Sequence, residues 1–223
     1  MQGVAVADQS VGETALLEAA LAQFALTGVR RTSTDDIARR AGVNRATLYR
    51  RLGSKEQIVA AALLHESAKV LARIEAAIGD VPAPGEPAAR GFDRVGYVVR
   101  FFATTLTELR GSALLRQLLE VDREDTLTGL TIRAGGVLEL SSHLVADRIR
   151  ALRLLGGEGP PADDQPDDVP LLAVTLARLA QSLVLTVDGP PRLDSEQQVR
   201  DYAELVLAPM ILRPPVQTGD ARR

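Results

Sequence analysis

The 223-residue chain contains no cysteine and only two histidines. Without cysteine, disulfides, thiolate catalysis and zinc–cysteine sites are all excluded. His65 and His143 fall in different predicted helices, and neither belongs to an HExxH motif, a Gly-x-Ser-x-Gly elbow or a cluster with metal-ligand spacing. We therefore predict no catalytic residue, no metal site and no cofactor, and we expect that the chain is not an enzyme.

Long apolar runs are also missing. No stretch of about 18 or more apolar residues occurs, and the first residues form neither a basic leader nor an apolar signal segment. Apolar residues nevertheless make up 46% of the chain, which is enough for a globular core. We expect a cytoplasmic protein of one medium domain or two small ones, with no membrane partner.

The sequence also lacks the sustained alternation of β-branched residues that is typical of strands, and it has no repeat at a solenoid period. Apolar residues instead recur at helical spacing, so the predicted fold class is all-α. Gly135 and Gly136 are expected to mark a kink within one long helix. Helices are expected at about 13–27, 34–41, 45–52, 54–78, 88–109, 112–121, 124–155, 167–188 and 195–212.

A net charge of −3 hides a strong local excess of positive charge. Residues 30–55, the basic segment, contain seven arginines and Lys55 against Asp35 and Asp36, so this segment carries +6 and the rest of the chain −9. A basic patch on an acidic body is typical of a protein that meets nucleic acid with one end. The alternative is an ordinary solvated face, since 24 of the 26 basic residues are arginine throughout the chain.

Two short helices joined by a tight turn are predicted within the basic segment. Ser33 is placed to cap the first helix, with Asp36 completing a capping box. Gly42 is expected to end that helix, because glycine adopts the left-handed conformation without steric cost, and Asn44 can cap a second helix over 45–52. This spacing is typical of a helix-turn-helix, whose second helix enters the major groove of DNA.

The residues that carry this motif are Thr32-Ser-Thr-Asp-Asp-Ile-Ala38, Ala41-Gly-Val-Asn-Arg-Ala-Thr-Leu-Tyr49 and Ser54-Lys-Glu-Gln57. Over residues 12–65 the sequence resembles the TetR family of transcriptional repressors. Two departures are Leu52, where the family usually has an aromatic residue, and Asn44, where serine is commoner. The resemblance implies an N-terminal three-helix DNA-binding domain followed by a larger helical-bundle domain that binds a ligand and dimerises.

DNA binding requires phosphate contacts for position and base contacts for specificity. The resemblance implies that Tyr49 and Lys55 contact phosphates. Arg45, Ala46 and Arg50 lie at the start and on the outward side of the second helix, which favours base contacts, although Arg50 is equally suited to phosphate. The predicted DNA-binding residues are Ser33, Thr34, Asn44, Arg45, Ala46, Thr47, Tyr49, Arg50 and Lys55. For Ser33, Thr34 and Thr47, helix capping is the alternative role.

The predicted domains are a DNA-binding domain at 12–57 and a ligand-binding and dimerisation domain at 58–212, with disordered tails at 1–11 and 213–223. Residues 169–187 are apolar around nearly the whole helix, so we expect a two-fold interface, with internal core as the alternative. The resemblance implies a four-helix bundle formed by the last two helices of each copy. The interface residues expected are Leu172, Leu176, Leu179, Leu183, Tyr202, Val206 and Met210.

A cavity among the helices of the second domain is expected to bind an apolar small molecule, as helical bundles often do and as the resemblance implies. Its candidate lining residues, for which ordinary core packing is the alternative, are Phe101, Phe102, Thr105, Leu118, Leu119, Glu120, Leu140 and His143. The sequence thus predicts a homodimeric transcriptional regulator, a repressor released from its operator by a ligand. The alternatives are an activator, a ligand-independent regulator, or a helical-bundle enzyme or carrier.

Overall fold

The structure is a computed structural model that describes residues 3–159 and 166–212, with side chains from residue 12 onward. These residues form helices, turns and loops without any strand, which confirms the predicted all-α class. A 3-10 turn (Pro87–Ala89) and a π-helical turn (Ala203–Leu207) accompany the α-helices. The helices are α1 (Gly3–Thr27), α2 (Thr34–Arg40), α3 (Arg45–Leu52), α4 (Lys55–Ile78), α5 (Arg94–Gly111), α6 (Ala113–Val121), α7 (Arg123–Leu130), α8 (Gly135–Leu155), α9 (Val169–Leu185), α10 (Glu196–Tyr202) and α11 (Ala208–Ile211).

Two predicted boundaries differ from those in the structure. Helix α1 begins at Gly3, inside the segment expected to be an irregular tail. The long helix expected at 124–155 is divided into α7 and α8, so that the glycine pair opens α8 instead of kinking a helix interior. Glycine destabilises a helix interior because it loses more backbone entropy than other residues on folding. At the start of α8 this entropy loss affects only the first turn. The predicted tail at 213–223 and residues 160–165 lie outside the described residues.

Packing divides the chain into two units whose boundaries differ from the predicted ones. The first unit contains the chain up to Val70 together with Ser112–Val137, and the second contains Leu71–Gly111 together with the chain from Leu138 onward. Helix α4 therefore contributes to both units, and α6 and α7 join the first. Neither feature can be predicted from the sequence, because the apolar face of a helix does not identify the core against which it packs.

The core of the first unit is built from the apolar faces of α1 to α4 and one leucine of α6. Phe24, Ile37 and Leu48 are fully buried, and Leu52 is 8% exposed. Burying one such side chain contributes about 1.5–3 kcal/mol, so this core can hold two short helices that would not be stable alone. Its buried members are Leu16, Leu17, Ala20, Leu21, Phe24, Ile37, Ala38, Leu48, Leu52, Ile58, Ala62 and Leu118.

In the second unit a buried arginine joins the ends of three helices. Arg153 of α8, 5% exposed, donates from Nε to the Ile211 carbonyl at 2.9 Å and from its two terminal nitrogens to the carboxylate of Asp168 at 2.9 and 3.2 Å. Asp168 directly precedes α9, and Ile211 ends α11. Because its donors are hydrogen-bonded and its charge is paired, the buried guanidinium carries little net desolvation cost, whereas an unpaired one would be strongly destabilising.

Candidate nucleic-acid interface

Helix α2 begins with the capping box that the sequence predicts. The amide of Asp36 donates to Ser33 Oγ at 3.1 Å, and the amide of Ser33 donates to Asp36 Oδ2 at 3.1 Å. The Ser33 hydroxyl also donates to the same carboxylate oxygen at 2.6 Å, and these bonds lower the pKa of Asp36. Ser33 therefore acts as a cap here, which is the alternative role set out for it above.

The turn between α2 and α3 is a Schellman motif. The amide of Val43 donates to the Ala38 carbonyl at 3.0 Å and that of Gly42 donates to the Arg39 carbonyl at 3.2 Å, with Gly42 at φ +69°. Asn44 Oδ1 then accepts from the Thr47 amide at 2.7 Å and caps α3, as predicted. Because both helix ends are satisfied inside the turn, the orientation of α3 against α2 is held by backbone bonds.

Helix α3 has one buried and one exposed face. Leu48 and Leu52 point into the core. Arg45, Ala46 and Arg50 are all exposed, as the predicted base-contacting residues must be. The alternation follows from the helical period, since residues three and four apart share a face.

A chain of polar contacts crosses from α2 to the exposed face of α3. Arg45 donates from one terminal nitrogen to Asp35 Oδ2 and from the other to Tyr49 Oη, at 3.2 and 3.3 Å. Tyr49 Oη also lies 3.3 Å from Thr34 Oγ1, and Thr34 is only 7% exposed. The bonds from Thr34 and then from Arg45 lower the pKa of Tyr49. Thr34 is therefore better placed to restrain Tyr49 than to contact a phosphate itself.

Lys55 opens α4 beside a second polar cap. Ser54 and Gln57 form a reciprocal pair, in which Gln57 Oε1 accepts from the Ser54 amide at 2.7 Å and Ser54 Oγ accepts from the Gln57 amide at 3.3 Å. Lys55 Nζ donates to the Arg30 carbonyl at 3.0 Å, in the loop that precedes α2. This contact joins the predicted phosphate-binding lysine to the helix-turn-helix itself.

The loop from α1 to α2 is anchored by a residue that the sequence analysis missed. Asp122, between α6 and α7, accepts from the Arg30 amide at 2.8 Å, and Arg31 donates to the Val121 carbonyl at 3.2 Å. Gly28 in the same loop has φ +83°, and a Cβ there would lie 2.7 Å from Asp122 Cβ. No local signal predicts this contact, because its partners are about 90 residues apart.

A second missed contact ties the basic segment to α1. Arg40 Nε donates to Gln23 Oε1 at 2.8 Å, and Gln23, 8% exposed, donates to Thr27 Oγ1 at 3.3 Å. The hydroxyl of buried Thr32 lies 2.8 Å from that of Thr27 and donates to the Gly28 carbonyl at 2.7 Å. One N–H donor of one of the seven arginines is thus used to satisfy a buried amide oxygen.

The structure divides the predicted ligand-lining residues between the two units. Leu118 is a core residue of the first unit, and Glu120 on the same helix is exposed. In the second unit Phe102 is buried, with its ring centroid 5.6 Å from that of Tyr202, whereas His143 is exposed. The other members are Leu119 in the first unit and Phe101, Thr105 and Leu140 in the second. The eight residues therefore do not all belong to one unit, because the period of each helix reveals its apolar face but not its neighbours.

The predicted dimer residues also differ in exposure. Leu183 is 6% exposed and belongs to the core of the second unit, whereas Val206 and Met210 are 39% and 41% exposed. Two leucines outside the predicted set are the most exposed large hydrophobic residues of these helices, Leu171 at 72% and Leu205 at 77%. The predicted members that pack partly against the core are Leu172, Leu176, Leu179 and Tyr202.

The described residues contain no group of three or more histidine, cysteine, aspartate or glutamate side chains arranged to hold a metal ion. None of the described helices is long and apolar enough to cross a membrane. His65 Nε2 lies 2.8 Å from Glu18 Oε1, which also accepts from Lys69 Nζ at 2.8 Å. These bonds, first from Lys69 and then from His65, lower the pKa of Glu18 and join α1 to α4.

Comparison with known proteins agrees with the geometry of the basic segment. Residues 16–62 match the family model described as bacterial regulatory proteins, tetR family. The HTH-type transcriptional repressor Rv3405c of Mycobacterium tuberculosis is 36% identical over 85 residues, 38% of this chain and 43% of that protein. The HTH-type transcriptional regulator Mb3439c of Mycobacterium bovis matches over the same shares. The chain therefore spans less than half the length of the curated relatives it matches.

Solved structures extend the likeness to the rest of the chain at the level of fold. The transcriptional repressor QsdR of R. erythropolis, from the TetR family, superposes with a TM-score of 0.59 at 18% identity, covering 91% of this chain and 95% of that one. The TetR family repressor AlkX of Dietzia sp. gives 0.55 at 19% identity, with 89% and 94% covered. Residues 16–62 are thus similar to bacterial regulatory proteins of the tetR family, and the solved structures show a shared fold for most of the chain.

Proposed function

We propose that this chain is a homodimeric DNA-binding repressor that a small apolar ligand releases from its operator, and that it is not an enzyme. The observation that carries the proposal is the exposed face of α3, with Arg45, Ala46, Tyr49 and Arg50 held by caps at both helix ends. The name of the mycobacterial relative supports repression. A DNA reader must share a compartment with DNA, so the proposed location is the cytoplasm.

The dimensions of α3 suit the major groove. Eight residues make a helix about 12 Å long, and the groove is about 12 Å wide and admits one α-helix. In this arrangement Arg45 reaches base edges, while Tyr49 and Lys55 contact phosphates. Arginine pairs with guanine through two donors, and the methyl of Ala46 suits thymine.

The test uses the full chain and duplexes selected from random DNA, with the DNA upstream of its own coding sequence as a second source. We expect enrichment of one palindromic site, and binding that weakens as salt rises because counterions are released. The spacing of the half-sites is expected to be one helical turn, about 34–36 Å, or a multiple of it. Failure to enrich any sequence above a scrambled duplex would refute the proposed function.

Dimerisation is supported by apolar exposure on the last helices of the second unit. Leu171 of α9, Leu205 in the π-helical turn and Met210 of α11 are each more than 40% exposed. Apolar side chains grouped on helices that also line the core are typical of a surface that another copy covers. Sedimentation at micromolar concentration tests this step, and a monomer would contradict it.

Ligand release is the part of the proposal that rests on the family resemblance. A ligand that binds the DNA-free conformation more tightly shifts the population away from the operator by that difference in affinity. The test is a panel of apolar compounds added to the protein–operator complex. A regulator without a ligand would remain bound in every case, and an activator would be recognised by a fall in transcription from the operator promoter when the gene is deleted.

A further inference from the structure

Asp35 is one of only two acidic residues in the basic segment, and its carboxylate is used differently from that of its neighbour. Asp36 serves the cap of α2 through its two bonds with Ser33. Asp35 instead pairs with Arg45 of α3, at 3.2 Å between Oδ2 and the terminal nitrogen, with both side chains more than half exposed. A negative charge on a surface that meets phosphates costs binding free energy, so its position beside the base-reading arginine calls for a function.

The guanidinium of Arg45 is held on two sides. One terminal nitrogen donates to Asp35, the other donates to Tyr49 Oη at 3.3 Å, and Arg45 Cζ lies 5.2 Å from the centre of the Tyr49 ring. These contacts restrain the direction of a side chain that otherwise has many rotamers. The restraint comes from both helices of the motif, since Asp35 is on α2 and the other two residues are on α3.

The restraint leaves donors free for DNA. A guanidinium carries five N–H groups, and the contacts to Asp35 and Tyr49 use two of them, so about three remain. A bidentate contact with guanine needs two donors. Arg45 can therefore bind a base edge while Asp35 still holds it, and it loses less conformational freedom than an unrestrained arginine when it does so.

We propose that Asp35 is a specificity-determining positioning residue, which directs Arg45 towards the base edges and disfavours its use as a general phosphate contact. The inference rests on the proposed DNA-binding function and deepens it. Its consequence is that Asp35 lowers affinity for arbitrary DNA and raises the ratio of operator to non-specific binding. Specificity then depends on a residue that itself contacts no base.

The experiment measures binding of the full chain to its selected operator and to a scrambled duplex at one salt concentration. Asp35→Asn keeps the shape of the side chain and removes its charge. We expect tighter binding to the scrambled duplex, a ratio of operator to scrambled affinity that falls by about tenfold, and a salt slope that increases by about one. Asp35→Glu, which keeps the negative charge, is expected to retain part of the ratio of operator to scrambled affinity.

A double-mutant cycle separates positioning from a structural effect. In the Arg45→Ala background, Asp35→Asn should change the affinity for both duplexes by the same factor, because the side chain that it positions is gone. If Asp35 only stabilises the N-terminus of α2 through its charge, the change in ratio will persist in that background. Persistence of the change would overturn the inference.

The matched control is Glu124→Gln, which removes one exposed negative charge from the first turn of α7 in the same unit. The ratio should stay unchanged in this variant. An equal fall with Glu124→Gln, or an unchanged ratio with Asp35→Asn, would refute the role of Asp35 while the wild-type chain still prefers its operator. If the wild-type chain prefers no duplex, the proposed function itself fails, so the two failures are distinguishable.

Discussion

The helix-turn-helix and the last helices of the second unit differ in the sequence separation of the residues whose hydrogen bonds hold them. In the first region most of the decisive bonds join residues within five positions, such as Ser33 with Asp36 and Val43 with Ala38. In the second region they join distant residues, such as Arg153 with Ile211, or Arg110 of α5, which donates to the Leu193 carbonyl at 2.9 Å. Local bonds can be read from residue types and spacing, and distant ones cannot.

The same contrast explains which exposed faces were predicted correctly. The outward side of α3 follows from the helical period, because its inward leucines enter a core directly beneath them. Helix α9 is apolar on nearly all sides, so the period does not distinguish the buried side from the exposed one. Tertiary packing buries Leu183 and leaves Leu171 at the surface.

The largest effect is expected from charge on the exposed apolar face of the second unit. Leu205→Glu should leave folding intact, because Leu205 is 77% exposed, but it should prevent dimerisation. A monomer loses the gain from simultaneous binding of two half-sites, so operator affinity should fall by about 100-fold or more. Sedimentation and fluorescence anisotropy measure the two quantities.

Leu154→Glu is the matched control, since Leu154 is 49% exposed on α8 of the same unit. It should remain dimeric and retain its operator affinity. Leu183→Glu should instead unfold the second unit, because the chain itself buries that leucine. A Leu205→Glu protein that stays dimeric would show that the interface lies on another surface.

The second effect concerns base recognition by the first unit. Arg45→Ala should weaken binding to the best operator by about 10-fold to 100-fold and relax preference at one position in each half-site. Selection from random DNA with the variant measures this. Arg39→Ala, an exposed arginine on α2, should weaken all duplexes alike. Unchanged specificity after Arg45→Ala would remove that residue from base recognition.

A smaller effect is expected at the phosphate contact. Lys55→Ala should weaken operator and scrambled duplexes by the same factor and reduce the salt slope by about one. The control is Lys69→Ala, the other lysine of the chain, whose Nζ is paired with Glu18 and Glu66. Its salt slope should not change. A loss confined to one DNA sequence would place Lys55 at a base instead of a phosphate.

The smallest effect tests whether the helix-turn-helix depends on local bonds alone. Asp122→Ala removes the acceptor of the Arg30 amide and should lower the free energy of unfolding by about 1 kcal/mol, with a few-fold loss of operator affinity. Urea unfolding provides the measurement, and Asp125→Ala in the first turn of α7, which Asp122 precedes, provides the comparison. Equal stability of the two variants would mean that the loop before α2 needs no distant anchor.

Residue types and spacing were sufficient to predict the all-α class and both caps of the helix-turn-helix, and they carried the resemblance to the TetR family. Ser33, Gly42 and Asn44 act within three to five residues of themselves, so their effect is contained in a short window of sequence. The same holds for the exposed positions of α3, which follow from one helical period.

Tertiary structure alone decided where the remaining helices pack and which distant side chains restrain the helix-turn-helix. Helices α6 and α7 joined the first unit, and Asp122 met the Arg30 amide. The division of predicted ligand residues between the units and the exposure of Leu171 and Leu205 have the same origin. The physical reason is that hydrophobic burial is non-directional: an apolar helix face specifies that it must be covered, but only the packed chain specifies by what.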